Sequence, residues 1–337
     1  MKISKKEKII GVFVILVIVL NFIPTSYYVR SPGIARELST MISVENGYVE
    51  GIEGQFLLTA VSSHQASIYD IVYISLFNPE GKELDAVYEE LPPGVDMNQY
   101  IQIMEQLMEE SKLHAQAAAF EEAGHEVEVI GDGAKVVQVM EEGTAKEKLE
   151  PEDIIIEVEG QPVEFATDAV NFIRAYEVGE IVEISVLRDN EEKTFNIQTV
   201  ELDSEPGKAS IGVLITTHNL EFNFPRNVTF ETDRIVGPSA GGMFALEIFN
   251  QLVAEDITKG RKIAGTGTIS SEGDIGKIDG VKQKVMAAED VDADIFISPE
   301  ENFEIAEETA REIEVFSAAN FKDILQYLEN LEELRRS

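Results

Sequence analysis

Ser239 is the residue in this chain around which a reaction is most readily written. It stands in Val236-Gly-Pro-Ser-Ala-Gly-Gly242, between a strand-like Asp233–Val236 and a strongly apolar, helical Met243–Ala254. Pro238 fixes φ at a first helical turn, where its missing N–H costs nothing. Ser239 then sits where free backbone N–H groups converge at a helix N-terminus, a place that stabilises developing negative charge. The same stretch also reads as a serine N-cap on an ordinary core helix. A nucleophilic serine needs a base, and none of His64, His114, His125 and His218 lies in a triad-like motif. A lysine kept partly neutral can do the same work. Lys282, in Gly276-Lys-Ile-Asp-Gly-Val-Lys282, is the candidate. It falls in the first turn of a helix expected over Gly280–Val291, where the macrodipole disfavours positive charge. Burial against the Met243–Ala254 helix would push the same way. Its neighbours Lys277 and Lys284 read as ordinary surface charges.

The elements that must carry these residues follow from periodicity. Lys262–Ser271 reads as a strand. Val281, Val285 and Ala288 line one face of the lysine-bearing helix. Ala293–Ser298 is a short buried strand, Glu300–Glu312 a helix, Ile313–Ser317 a last strand and Asn320–Leu334 a closing amphipathic helix. Alternation of this kind argues for an α/β layered domain. Upstream, Gln55–Val61 and Ser67–Leu76 are rich in β-branched and aromatic residues and read as strands. Asp96–Ala123 is one long amphipathic helix, stopped by Gly124.

Residues from about His125 to Val200 form a pattern of their own, with short strands at Glu126–Ile130, Ala134–Met140 and Asp153–Val158. A helix follows at Thr167–Tyr176, then a hairpin of Ile181–Arg188 and Thr194–Val200 around Asp189-Asn190. Four motifs, Gly133-Ala-Lys-Val-Val-Gln-Val139, Leu149-Glu-Pro-Glu-Asp-Ile-Ile155, Glu159-Gly-Gln-Pro-Val163 and Val186-Leu-Arg-Asp189, make this segment resemble a bacterial PDZ domain, a partly open β-barrel. PDZ domains add an extended peptide beside an exposed strand edge. The resemblance implies a groove between Glu126–Ile130 and the helix, with Val127 and Ile130 as peptide contacts. No Gly-Leu-Gly-Phe carboxylate loop is present, and a structural spacer is the alternative reading.

A second resemblance bears on Ser239. Gly237-Pro-Ser-Ala-Gly241, Ala264-Gly-Thr-Gly267 and Ile275-Gly-Lys-Ile-Asp-Gly-Val-Lys-Gln-Lys-Val-Met-Ala-Ala288, in that order, resemble the proteolytic domain of Lon proteases. The resemblance implies an α/β (α+β) fold, Ser239 as nucleophile and Lys282, 43 residues on, as base. Thr266 would hydrogen-bond the lysine, with Gly237, Pro238, Ala240 and Gly241 shaping the serine turn. Met108-Glu-Glu-Ser-Lys-Leu-His-Ala-Gln-Ala117 resembles a Lon helix as well, so the protease domain is expected in two parts, 41–123 and 205–337, around a PDZ insertion at 125–203. Departures are Val236 and Thr268, where many Lon proteases carry Asp and Glu. No Gly-x-x-x-x-Gly-Lys-Ser/Thr occurs, so the expected peptidase works without ATP, on peptides or flexible segments. No metal or other cofactor is called for. Ring-like homo-oligomers are a family expectation.

Lys2, Lys5, Lys6 and Lys8 precede the uncharged run Ile9–Val29. Its 21 positions match the roughly 20 residues of a membrane-spanning helix. Basic residues before it (1–8) place the N-terminus in the cytoplasm and the rest outside. A cleaved signal peptide is the competing reading, but no Ala-x-Ala follows. The whole then resembles the Lon-like, PDZ-containing, membrane-bound serine proteases of Gram-positive bacteria, acting on peptide or protein substrates. A catalytically silent PDZ scaffold with a Lon-like fold is the rival reading. The net charge of −36 over 337 residues argues against nucleic acid as a partner. Absence of cysteine excludes disulfides and thiol catalysis.

Overall fold

Ile295–Pro299 is buried at all five positions, as expected of a strand covered on both faces. It pairs in parallel with Lys262–Gly265 on one side and Glu314–Ala318 on the other. The computed structural model describes residues 23–86, 97–140, 143–202, 205–232 and 237–332. Lys262–Gly265 pairs in parallel with Gln55–Ser67 in turn, and that strand continues antiparallel into Pro24–Glu37 and then Glu83–Ala86. The result is a six-stranded mixed sheet, parallel on one half and antiparallel on the other. Parallel neighbours need crossover connections. The helices Val281–Glu289 and Phe303–Thr309 supply two of them. Val281, Val285 and Ala288 pack with Leu57, Ala264 and Phe296 of the sheet in one buried cluster.

Two compact units share the chain. One is drawn from Met1–Glu126 and Phe224–Ser337, the other from Val127–Asn223. Three expectations change on this account. First, Pro24–Glu37 is a strand of the six-stranded sheet, so the first part of this unit starts ahead of residue 41. Residues 24–29 therefore do not belong to a membrane span, because their backbone is paired to Gln55–Ser67 on one side and Glu83–Ala86 on the other. Positions 1–22 lie outside the described residues. Among the described residues no helix is long and apolar enough to cross a membrane. Second, the stretch expected as a strand at Ser67–Leu76 is a helix, Ile68–Phe77. A capping box decides it: Ser67 Oγ accepts from Asp70 N, and the Asp70 carboxylate accepts from Ser67 N at 2.9 Å. Asn78 ends it in the left-handed region. Third, the 127–223 unit runs past 203. Val213–Thr217, assigned above to the protease half, closes the sheet of the inserted unit by pairing antiparallel with Ala134–Val139.

That second sheet runs Glu191–Gln198, Ile181–Arg188, Ile154–Val158, Ala134–Val139, Val213–Thr217. The turn at Asp189-Asn190 has φ of 54° and 62°, the left-handed pair of a two-residue type I′ hairpin. The second hairpin strand accordingly begins at Glu191 rather than Thr194. Val136, Leu149, Ile155, Ile184, Val186 and Ile211 lie in its core. Arg188 ties the Leu149–Ile155 and Val186–Asp189 motifs together. Its Nε and Nη2 reach the two oxygens of Asp153 at 2.6 and 2.7 Å, and Nη1 reaches Glu150 at 2.7 Å. Asp153 is 1% exposed, so its charge depends on this bidentate partner. Replacing Arg188 by Met leaves a buried carboxylate uncompensated, which costs about 3 kcal/mol. The Arg188→Met chain is expected to show a lower melting temperature for this unit in calorimetry, and an unchanged melt would remove the pair from its stability.

Candidate active site

Pro238–Ala240 is a single 3-10 turn that runs directly into the helix Gly241–Leu252. Gly237 opens it at φ 97°, ψ 153°, a conformation side chains rarely adopt. Its N–H donates to Met104 O at 3.2 Å, and Ser111 Oγ donates to Pro238 O at 3.1 Å. The helix Met97–Glu122 thus holds the outer side of the turn. A Cβ on Gly241 would stand 2.5 Å from Ser111 Oγ, so this close approach depends on glycine. The inner side is held by the end of the central strand. Gly267 N and Thr266 Oγ1 both donate to Ser239 O, at 2.8 and 2.9 Å, and Gly242 N donates to Gly267 O at 3.0 Å. Ser239 itself is half-buried, and the start of the following helix leaves backbone N–H groups pointing out of the turn.

The lysine brought to this serine is Lys284, not Lys282. Lys284 Nζ lies 2.8 Å from Ser239 Oγ and donates to Thr266 Oγ1 at 2.8 Å. Its side chain leaves the second turn of Val281–Glu289 toward the sheet, and the residue is 3% exposed. Lys282 points the other way, 42% exposed, and pairs with Glu83 at 3.3 Å. The reason is helical phase: two residues apart means about 200° of rotation, so both lysines cannot face Ser239. The signal was available. Lys284 stands three residues after Val281 and four before Ala288, on the face already recognised as inward. First-turn placement favoured Lys282, and burial outweighed it. The loop ahead of the helix is fixed as well, because Asn302 Oδ1 accepts from Ile278 N and Nδ2 donates to Ile278 O, both at 2.9 Å.

Burial sets the electrostatics. Desolvation of the ammonium brings the Lys284 pKa down to about 8, against a smaller upward pull from Asp279. Thr266 meets Lys284 rather than the expected Lys282, and Gly237, Pro238, Ala240 and Gly241 lie in the serine turn and the start of its helix. Val236 lies outside the described residues. Thr268 lies in the short ribbon Thr268–Ile269 with Ile275–Gly276, beyond the lysine contact. Ser111 and Met104, whose helix resembled that of Lon domains, emerge here as the outer clamp on the turn, a role that their spacing did not reveal.

Residues 233–330 match the Lon protease (S16) C-terminal proteolytic domain, and residues 122–199 match the PDZ domain. The chain joins a Lon-type proteolytic domain to a PDZ domain. The Lon-type match identifies a serine peptidase domain, and the PDZ match a peptide- or protein-binding module. Solved structures similar to the PDZ part include the PDZ domain of an SdrC-like protein from Listeria innocua. It is 28% identical over 26% of this chain and 98% of that one, with a TM-score of 0.24. The corresponding domain from Listeria monocytogenes is 24% identical over 25% and 87%, also at 0.24. A solution structure from Geobacillus thermodenitrificans is 24% identical over 25% and 95%, at 0.23. No curated protein matches the chain.

Within the PDZ domain, Glu128–Ile130 pairs with Glu221–Asn223, so one edge of that strand is already taken. The helix Ala166–Arg174 packs along Glu205–Ser210, Ile154–Val158 and Val213–Thr217, with Ala166 N donating to Thr217 Oγ1 at 3.0 Å. Val127 is half-buried ahead of its strand and Ile130 is exposed on it. The expected groove therefore changes its wall, because the closing strand comes from beyond residue 203.

A buried lysine has a pH signature in stability. Its folded pKa near 8 lies below the ordinary 10.5, so between these values the unfolded chain binds the extra proton and stability rises with pH. Below pH 8 the burial cost is present in full, on the order of 3 kcal/mol, and above 10.5 it is gone. Lys284→Met is expected to raise the melting temperature at pH 6 to 7, with the gain vanishing toward pH 10.5. Equal melting curves at pH 6 would show that the amine is not desolvated.

Proposed function

We propose that this protein is a membrane-anchored, ATP-independent serine endopeptidase with Ser239 as nucleophile and Lys284 as its general base. The 2.8 Å approach of Lys284 Nζ to Ser239 Oγ, inside a buried site, carries the reading. With a pKa near 8, a useful fraction of the amine is neutral near physiological pH. The neutral amine takes the proton from Ser239 Oγ as that oxygen attacks the substrate carbonyl, forming the C–O bond. Thr266 Oγ1 accepts an N–H from the amine and so directs its lone pair at the serine. Backbone N–H groups of the Pro238–Ala240 turn receive the oxyanion. The ammonium then returns its proton to the leaving amine as the peptide bond breaks. Water, deprotonated by the same amine, hydrolyses the acyl-enzyme.

The apolar run Ile9–Ile23 after Lys2, Lys5, Lys6 and Lys8 supports a single-pass anchor with the N-terminus in the cytoplasm and both domains outside. ATP is not supplied there, and no nucleotide-binding loop is written in the chain, so substrates are peptides or unstructured protein segments. The PDZ domain binds substrate or partner segments. Its Ile130 and Val127 border one candidate strand edge.

Cleavage of a fluorogenic peptide by the full chain tests the pair. Ser239→Ala and Lys284→Ala are each expected to lower kcat/KM by about 10³- to 10⁴-fold. Lys282→Ala, which removes an exposed ion pair, is expected to stay within about twofold. The kcat/KM profile should rise through pH 8 as one proton leaves. Loss of activity in Lys282→Ala with retention in Lys284→Ala would reverse the assignment, and equal turnover in all forms would end the dyad. Deletion of Val127–Asn223 is expected to slow cleavage of long unfolded proteins more than that of short peptides. Equal losses on both substrates would leave the PDZ domain without a part in substrate capture.

A further inference from the structure

The helix Ile68–Phe77 covers the sheet with only part of its apolar surface. Ile74 packs with Val29 and Ala66, and Ile71, Tyr73 and Leu84 border that contact. Tyr69, Val72, Leu76 and Phe77 face outward, with Leu76 72% and Phe77 70% exposed. Tyr69, Val72 and Leu76 form one row at spacings of three and four, and Tyr69, Tyr73 and Phe77 an adjoining row at spacings of four. The rings of Tyr69, Tyr73 and Phe77 stack in sequence, with centroids 5.9 and 5.5 Å apart. A contiguous apolar stripe of this kind on an otherwise strongly acidic chain marks an interaction surface.

The entry point of the chain says what covers it. Pro24 is in register with Ser67, the residue that caps this helix, and Thr25 Oγ1 donates to Ala66 O at 2.7 Å. Ile23, the last residue of the uncharged run Ile9–Ile23, therefore stands beside the helix N-terminus. Exposed Ile23 and Tyr27 extend the apolar surface toward it. Charges bordering the helix are engaged: Asp70 accepts from Ser67, Arg30 pairs with Asp85 at 3.1 Å, Glu80 pairs with Arg311, and Lys82 sits over the Tyr73 ring. Tyrosines beside an apolar stripe are the composition of a bilayer interface, where a ring is apolar at one end and wet at the other. At the far edge of the sheet, the exposed Ile305 stands alone among Glu301, Glu304 and Glu308.

We propose that the outward stripe of the Ile68–Phe77 helix lies in the lipid headgroup region and seats the protease domain on the membrane surface. The inference rests on the reading of Ile9–Ile23 as an anchor. Binding is apolar and aromatic rather than electrostatic, since the acidic chain repels anionic lipid.

The chain has no cysteine, so single cysteines report cleanly. The full chain, reconstituted into phosphatidylcholine vesicles, carries an environment-sensitive dye at Leu16→Cys, Val72→Cys, Leu76→Cys or Ile305→Cys. Emission at positions 72 and 76 is expected to shift to the blue and to be quenched by lipids spin-labelled near the headgroup. Position 305 should show neither effect, and position 16 should be quenched by lipids labelled deep in the chain. Quenching at 16 but not at both 72 and 76 overturns the docking and leaves the anchor. A blue shift at 72 and 76 without lipid quenching assigns the stripe to a second copy or another protein and also overturns it. Loss of quenching at 16 removes the anchor itself, and the docking with it.

Discussion

The interaction on which the site depends is the removal of one lysine amine from water. Lys284 is enclosed between the central strand and the turn that carries Ser239, and among the described residues its close polar partners there are two hydroxyls. A hydroxyl does not repay the desolvation of an ammonium as a carboxylate would, so the neutral form gains ground. Asp279 pulls the other way, but its effect is the smaller. The same burial that lowers the pKa of the amine, and so raises its neutral fraction near pH 7, also weakens the fold below pH 8.

Everything around the lysine serves to keep its partner hydroxyl in register. The serine turn is clamped from outside by Met104 and Ser111 and from inside by Thr266 and Gly267. These clamps come from segments more than a hundred residues apart in the chain, on either side of the PDZ domain. The first segment is therefore as much a part of the site as the second, although it contributes no reacting group. Thr266 links the lysine to the serine turn: it accepts from the amine and donates to the carbonyl of the serine.

The PDZ domain keeps its own order by a different device. Its Arg188–Asp153 pair is bidentate and deeply set, joining the end of the strand Ile181–Arg188 to the residue that leads into Ile154–Val158. Its sheet is completed by Val213–Thr217, which returns after the acidic link. The family match ends at residue 199, and periodicity in the link carries no sign of which domain the next strand joins. Strand pairing across 80 residues is a property of the folded chain, and local pattern is blind to it.

Much was legible in the residues themselves. The order of strands and helices from Lys262 onward, the type I′ turn at Asp189-Asn190, the serine turn and the threonine beside it all follow from local chemistry, because each depends on neighbours within a few positions. The Ser67-x-x-Asp70 capping box was legible too, but β-branched content masked it and a helix was read as a strand. What only the tertiary structure decided was which lysine meets Ser239. Lys282 and Lys284 share a turn, a charge and a motif, and they differ by about 200° of helical phase. That phase acquires meaning only when the helix is laid on the sheet with Val281, Val285 and Ala288 inward. One lysine then enters the core, where its amine loses water and changes its acidity, and the other remains a solvated surface charge.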